Sequence, residues 1–199
     1  MAECTGRIIK YMPLLLALTW PLSAQAHPFH PGTAAGWLPG FMHPFSGLDH
    51  LLAMLAVGFL AGRSGGAWRW RIPALFLAAA GGAFLLQAGA GTSISLNAEA
   101  GIAGSLVFLG GMIALDMRMH TNRSTILVAM FGCFHGLAHG METPPGIPLW
   151  TFMAGFLFAT ALLQAAGLLI SHVTAGGRWM RLGGAGIATA GLLLGAAMF

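Results

Sequence analysis

The chain has 199 residues, of which 57% are hydrophobic and only 7% are charged. Soluble domains carry roughly 25% charged residues, so this composition excludes an ordinary soluble domain and predicts an integral membrane protein. The formal net charge of +4 does not indicate a nucleic-acid partner. The few arginines lie in short connections between apolar segments rather than along one exposed face, so we expect the lipid bilayer to be the main partner.

The first 26 residues have the features of a secretory signal peptide. Arg7 and Lys10 supply its basic start, a short apolar run follows, and residues 24–26 read Ala-Gln-Ala, an A-x-A cleavage site. The apolar run is shorter than the roughly 20 residues that a membrane span needs. This favours a cleaved signal over a retained first helix and predicts one membrane domain over residues 27–199.

Six apolar segments follow, each near the length that crosses hydrocarbon as a helix. They cover residues 43–62, 72–90, 97–117, 124–141, 148–171 and 181–198. The seven arginines beyond the signal fall in three alternate connections: Arg63, Arg69 and Arg71, then Arg118 and Arg123, then Arg178 and Arg181. The positive-inside rule makes those connections cytoplasmic. We therefore predict an all-α bundle of six transmembrane helices in the bacterial inner membrane, with both termini periplasmic.

Six ionisable side chains lie within or at the ends of two of these segments. They are His43, Asp49, His50, His135, His139 and Glu142. An ionisable group inside a span is costly unless it faces a polar cavity and finds partners, which makes such residues functional candidates. At 1.5 Å per residue, His50 and His135 both lie about 10 Å below the outer surface. The sequence therefore predicts one cation site in the periplasmic half of the first and fourth helices.

The first predicted helix carries three of these residues. His43 and His50 are seven apart and are expected on one face, with Met54 one turn further along it. Pro44 fits the first turn of that helix, where its missing N–H costs nothing. Asp49 lies about 100° away, where it could either ligate a metal from the edge or orient a histidine.

The fourth predicted helix carries the other three. His135, His139 and Glu142 have the spacing i, i+4, i+7 and form one stripe. Two histidines one turn apart can grip one metal, as in HExxH zinc sites, but Gly136 stands where that motif has its glutamate, which argues against a metalloprotease. Glu99, at the outer end of the third helix, could join the site or complement the helix N-terminus, and both roles stay open.

The segment before the first predicted helix offers second-tier ligands. Residues 27–41 are interrupted by prolines and glycines, so we expect an outer loop or a re-entrant lid without helical periodicity. Cleavage would make His27 the terminal residue. Its amine and imidazole, with His30 nearby, could capture a divalent ion before it enters the site.

Glycines recur every fourth residue through the fourth predicted helix, at Gly132, Gly136 and Gly140. Small residues at this spacing let transmembrane helices approach closely. We expect this stripe to pack tightly and so to fix the geometry of the histidines beside it.

Two stretches resemble the motifs of the HupE/UreJ family of nickel/cobalt permeases. Residues 43–50 read His-Pro-Phe-Ser-Gly-Leu-Asp-His, and residues 134–142 read Phe-His-Gly-Leu-Ala-His-Gly-Met-Glu. The likeness covers essentially the whole chain beyond the signal. It implies secondary uptake of Ni²⁺ or Co²⁺ across the inner membrane, with hydrogenase or urease maturation proteins as candidate downstream partners.

The chemistry of the candidate ligands limits which metals could be transported, but it does not determine the class of protein. Imidazole and carboxylate suit Ni²⁺, Co²⁺ or Zn²⁺, so we expect a transported divalent metal, no tightly bound cofactor and no enzymatic activity. Two alternatives are a membrane b-type haem electron-transfer protein, with histidines as axial ligands, and a zinc-dependent intramembrane hydrolase with Asp49 or Glu142 as base. Lys10 is the only lysine, so a Walker A phosphate loop is absent beyond the signal. A homo-oligomer is left open.

Overall fold

The computed structural model describes residues 36–89, 97–120, 122–174 and 177–198. These residues form α-helices and contain no strand. The helices are α1 (Trp37–Ser46), α2 (Leu48–Ser64), α3 (Trp68–Gly89), α4 (Ala98–Ala114), α5 (Asn122–Met141), α6 (Leu149–Val173) and α7 (Arg178–Ala196). The predicted signal peptide and the predicted capture residues His27 and His30 lie outside the described residues.

Three of the described helices are long and apolar enough to cross a membrane. They are α3, the Ser124–Met141 part of α5, and α6. The helices α1 and α2 meet the same criterion only as a bent pair, which raises the number to four, and α4 is a shorter apolar helix of 17 residues. The prediction of an all-helical membrane protein is therefore confirmed, whereas six spans stay a prediction.

The first apolar segment is broken, although the sequence predicts one helix over residues 43–62. The axes of α1 and α2 meet at 87°, and Gly47 between them has an extended backbone with φ −104° and ψ 124°. Pro44 lies in the last turn of α1, so its predicted place in a first turn is wrong. Ser46 Oγ donates a 2.6 Å hydrogen bond to the carbonyl of His43, which satisfies an acceptor that the helix end leaves free.

Helix α1 also begins earlier than the sequence indicates. It starts at Trp37, so the expectation that no helix runs through residues 27–41 is wrong for residues 37–41. Pro39 is tolerated there because it lies in the first turn, where a backbone N–H has no partner within the helix. A Cβ on Gly40 would lie 2.0 Å from the carbonyl oxygen of Phe152, so this glycine lets α1 pack directly on α6.

Close contacts at glycines define the directions of the helices. Gly132, Gly136 and Gly140 of α5 lie against successive turns of α3 in the same order, so these helices are parallel and the predicted tight packing is confirmed. Gly58 of α2 lies against Gln164 of α6 in a second parallel pair, and α7 runs antiparallel to α4. With short connections between neighbours, α2 to α7 alternate in direction.

This alternation gives the bundle two chemically different ends. One end, called the arginine end below, carries Arg63, Arg69, Arg71, Arg118, Arg178 and Arg181. The opposite end, called the histidine end, carries the start of α2, the end of α5 and all of α1. The separation follows the predicted pattern of arginines in alternate connections.

Candidate metal site

Three donor atoms meet at the histidine end. His43 Nε2 lies 2.8 Å from His139 Nδ1 and 2.9 Å from Glu142 Oε2, and His139 Nδ1 lies 2.7 Å from the same carboxylate oxygen. His43 comes from α1, His139 from α5, and Glu142 directly follows α5. These three residues, the donor triad, each offer one ligand atom to a common point.

The spacing of the donor triad suits a single metal ion. Donor atoms about 2.1 Å from one ion and at right angles to each other lie about 3.0 Å apart. The observed separations of 2.7 to 2.9 Å are close to that value. A small outward movement of the side chains would therefore admit an ion with octahedral coordination, leaving three positions for other ligands or water.

His50 lies beside the donor triad and is oriented by Asp49. The ring Nδ1 of His50 is 2.7 Å from Asp49 Oδ1, which also accepts the backbone N–H of His50 at 2.9 Å. When Nδ1 donates its proton to this carboxylate, Nε2 keeps a lone pair. That Nε2 is buried and has no hydrogen-bond partner among the described residues. Of the two roles predicted for Asp49, the contact favours orientation of the histidine.

His135 completes a group of neighbouring imidazoles. Its Nδ1 lies 2.9 Å from the carbonyl oxygen of Phe131, so this nitrogen donates and Nε2 is left as an acceptor. Nε2 is buried without a described partner. The ring of His50 lies 4.3 Å from that of His139 and 5.4 Å from that of His135, between centroids. We call His43, His50, His135 and His139 the histidine cluster.

Phenylalanine rings enclose the histidine cluster, although none of them was among the predicted site residues. Phe156 lies 4.5 Å from His139 between ring centroids, Phe152 lies 5.6 Å from His43, and Phe76 lies 5.4 Å from His135. These rings restrict the orientations of the imidazoles and exclude water from one side of them. An apolar residue in an apolar segment carries no sequence signal that separates such a wall from ordinary packing.

The second-tier candidates within the described residues lie near the histidine cluster. Met54 is fully buried one turn beyond His50 on α2. Glu99, in the first turn of α4, is close enough to His50 and Glu142 for their charges to interact with its own. Neither residue adds an atom to the donor triad, so each stays a candidate for an outer role.

Gly136 has a structural reason for replacing the glutamate of a HExxH motif. A Cβ at this position would lie 2.1 Å from the carbonyl oxygen of Ala80 on α3. Real Cβ atoms essentially never come so close, so no side chain fits there without separating the two helices. The contact supports the sequence argument against a metalloprotease.

Glu142 lies beyond the last residue of α5 and is 40% exposed. Burial by itself would raise the pKa of this carboxyl, but hydrogen bonds from His139 and His43 outweigh that effect and hold the pKa well below its usual range. The carboxylate is therefore charged where a cation would approach the histidine cluster.

Asp116 lies at the arginine end, away from this site. Its carboxylate pairs with Arg63 at 2.5 Å. Helices α2 and α4 pack side by side, which brings Arg63 to Asp116 from a distant part of the chain. The contact joins two elements at this end of the bundle.

The fold and this site define a helical membrane protein with a cluster of histidines and carboxylates at one end of its bundle. Residues 14–194 match the family model described as HupE / UreJ protein, and the chain belongs to this family. It is 37% identical over 190 residues to Protein HupE of Rhizobium leguminosarum bv. viciae, a match covering 93% of this chain and 96% of that protein. No solved structure matches the chain. The predicted family is thus confirmed.

Proposed function

We propose that this protein is a secondary transporter that takes up Ni²⁺ or Co²⁺ across the inner membrane. The observation that carries the proposal is the donor triad, in which His43, His139 and Glu142 converge from two helices. His50, oriented by Asp49, supplies a further imidazole next to it. His135 extends the same cluster towards the interior.

The direction of transport follows from the two ends of the bundle. The positive-inside rule assigns the arginine end to the cytoplasm. The histidine end then faces the periplasm, and Glu142 lies exposed at its mouth. A divalent ion arriving from the periplasm would meet the negative carboxylate first and the imidazoles next, which is the order expected for uptake.

The donor chemistry supports a divalent ion of the first transition row. Imidazole nitrogen and carboxylate oxygen suit Ni²⁺, Co²⁺ and Zn²⁺, whereas Cu(I) prefers thiolates and thioethers. Asp49 and Glu142 together carry two negative charges near the cluster. Two carboxylates offset the charge of a divalent cation, which would otherwise be costly at this depth in the membrane.

Metal uptake by whole cells tests the proposal. Cells that produce the protein should accumulate radioactive nickel or cobalt, and His139→Ala should reduce accumulation to the level of cells without it. The matched control is His172→Ala, because His172 is exposed near the end of α6 at the arginine end. Accumulation by His139→Ala equal to that of the wild type, at equal protein level, would contradict the proposal.

One spectrum separates this function from its main alternative. A b-type haem protein shows the strong visible absorption of its porphyrin as purified, whereas a transporter of hydrated metal ions shows none. The donor triad favours the transporter because His43, His139 and Glu142 are in direct contact. A haem spectrum that disappears in His139→Ala would decide for the electron-transfer protein.

A further inference from the structure

Buried polar atoms without partners continue along α6 beyond the histidine cluster. Thr160 is fully buried and Gln164 is 1% exposed. Thr160 Oγ1 and both side-chain amide atoms of Gln164 have no hydrogen-bond partner within the described ranges. Buried polar groups in native proteins nearly always have a partner, such as another group, water or an ion. Three unpaired atoms on adjacent turns therefore indicate a place for a ligand that the protein itself does not supply.

Thr160 and Gln164 lie on the same face of α6 as the phenylalanines that contact the histidine cluster. Phe152 and Phe156 contact His43 and His139, and Thr160 and Gln164 follow at the same spacing of one turn. Gln164 lies about 12 Å beyond Phe156 along the helix axis. The polar positions thus lead from the histidine cluster towards the arginine end.

The facing helix α2 packs directly on α6 at this level. Gly58 of α2 lies against the backbone of Gln164, where a Cβ would be 1.9 Å from the carbonyl oxygen. Since α2 and α6 are parallel, Met54, one turn before Gly58, is level with Thr160. Met54 is fully buried, and its thioether is a soft donor on the route between the two levels.

Thr160 differs from the buried serines of the described helices. Ser64, Ser105 and Ser171 each donate to a backbone carbonyl three or four residues earlier in their own helix. Such local bonds are the usual way for a helical hydroxyl to satisfy itself in apolar surroundings. Thr160 makes no such bond in the described structure, so its hydroxyl is available to another ligand.

We propose that Thr160 and Gln164 form an inner cation site, which receives the metal ion after it leaves the histidine cluster. The proposal rests on the transport function proposed above. The hydroxyl oxygen of Thr160 and the amide oxygen of Gln164 would be the protein ligands, and water would complete the coordination. Because both ligands are neutral, the site would hold a divalent ion weakly, as a transit site must.

Variants that remove the oxygens test the inner site. Thr160→Val keeps the shape without the hydroxyl, and Gln164→Leu removes the amide. Each should lower the maximal rate of nickel or cobalt uptake about tenfold, equivalent to about 1.4 kcal/mol in barrier height, with KM unchanged. Purified variants should bind Ni²⁺ at the histidine cluster with the wild-type Kd, measured by calorimetry. Ser171→Ala on the same helix is the matched control, because that hydroxyl already has a partner.

Two further variants keep the test decisive if those proteins fail to fold. Thr160→Ser retains the hydroxyl and should transport like the wild type. Gln164→Glu retains an oxygen, preserves volume and adds a charge, so it should hold the ion longer. We expect purified Gln164→Glu to bind one more Ni²⁺ per chain than the wild type and to transport more slowly.

The outcomes separate the inner site from the transport function. Absence of uptake in wild-type cells would overturn the transport function and the inner site together. Wild-type uptake that His139→Ala abolishes, but that Thr160→Val and Gln164→Leu leave unchanged, would overturn the inner site alone. Loss of Ni²⁺ binding at the histidine cluster in these two variants would also overturn it, because the defect would then be structural. Wild-type stoichiometry in Gln164→Glu would count against it as well.

Discussion

The ionisable residues at the two ends of α2 differ in how fully their polar atoms are paired. At the histidine end, Asp49 orients His50 and leaves one ring nitrogen without a described partner. At the arginine end, the guanidinium of Arg63 pairs with Asp116, and Ser64 Oγ accepts the backbone N–H of Met119 at 2.8 Å. One end therefore keeps lone pairs for a ligand, whereas the other uses its charges to join α2 to the segment after α4.

Aromatic residues show the same contrast. The phenylalanines of the histidine end face imidazoles, whereas three tryptophans of the arginine end lie beneath guanidinium groups, with Trp68 under Arg71 as one pair. Tryptophan is enriched at membrane interfaces, and arginine marks the cytoplasmic side. The arginine end thus resembles an anchor in the interface, and the histidine end a binding pocket. Four substitutions test this contrast.

The largest effect is expected from His43→Ala. This change removes the ligand that α1 contributes to the donor triad, so Ni²⁺ affinity should fall by about a hundredfold, equivalent to about 2.7 kcal/mol. Calorimetry on purified protein measures it, and His120→Ala, an exposed histidine after α4, is the control. An affinity within threefold of the wild type would remove α1 from the site.

The second-largest effect is the loss of stability that we expect from Asp116→Asn at the arginine end. Asp116 has φ 55°, a left-handed conformation that aspartate and asparagine both adopt occasionally, so Asp116→Asn removes the charge with little change in backbone preference. A hydrogen bond to a charged group contributes about 2 kcal/mol, and we expect a comparable loss in the free energy of unfolding in detergent. Ni²⁺ affinity should not change. A weakened affinity would show that Asp116 also serves the metal.

Asp49→Asn is the matched change at the histidine end. Substituting a residue that orients a metal-binding histidine typically costs about tenfold or more in metal affinity. We expect about a tenfold weaker Kd for Ni²⁺ with only a small change in stability, the reverse of Asp116→Asn. If Asp49→Asn instead unfolds the protein without altering affinity, the carboxylate is structural.

The smallest effect is expected from Gly47→Ala. Alanine tolerates the backbone conformation of Gly47, but its Cβ would lie 2.7 Å from Asp49 Oδ1 and 3.0 Å from His50 Nδ1. The carboxylate must shift, so Ni²⁺ affinity should fall about threefold, or about 0.65 kcal/mol. Gly82→Ala is the control because open space surrounds that position. Equal Ni²⁺ affinities for Gly47→Ala and Gly82→Ala would show that Asp49 and His50 can shift without weakening metal binding.

The sequence was sufficient to predict which residues form the site. It predicted only part of their arrangement. The spacing of His135 and His139 on α5 was sufficient for these two, because a straight helix fixes which residues share a face, whereas Glu142 lies just beyond the helix end. The depths of the two sets along their helices also predicted that they would meet. Polar residues in apolar segments are conspicuous, and the same reasoning would have identified Gln164, which was not among the predicted site residues.

The position of His43 was predicted for the wrong reason. The seven-residue spacing to His50 indicated one face of one helix, yet the chain breaks at Gly47. Pro44 was interpreted as a helix start, whereas Pro44, Ser46 and Gly47 together end α1. A proline fits a first turn and can also lie near a helix end. The packing of α1 on α6 through Gly40 determines which of these two positions Pro44 takes.

The corner between α1 and α2 determines how the histidines reach one another. On a straight helix, His43 and His50 would lie about 10 Å apart along the axis, too far to share one neighbour. Because the axes meet at 87°, both imidazoles reach His139, with centroid distances of 4.5 Å for His43 and 4.3 Å for His50, and their own centroids are 6.2 Å apart. A break that interrupts the backbone hydrogen bonds of a membrane helix thus converts a linear row of side chains into a three-dimensional enclosure.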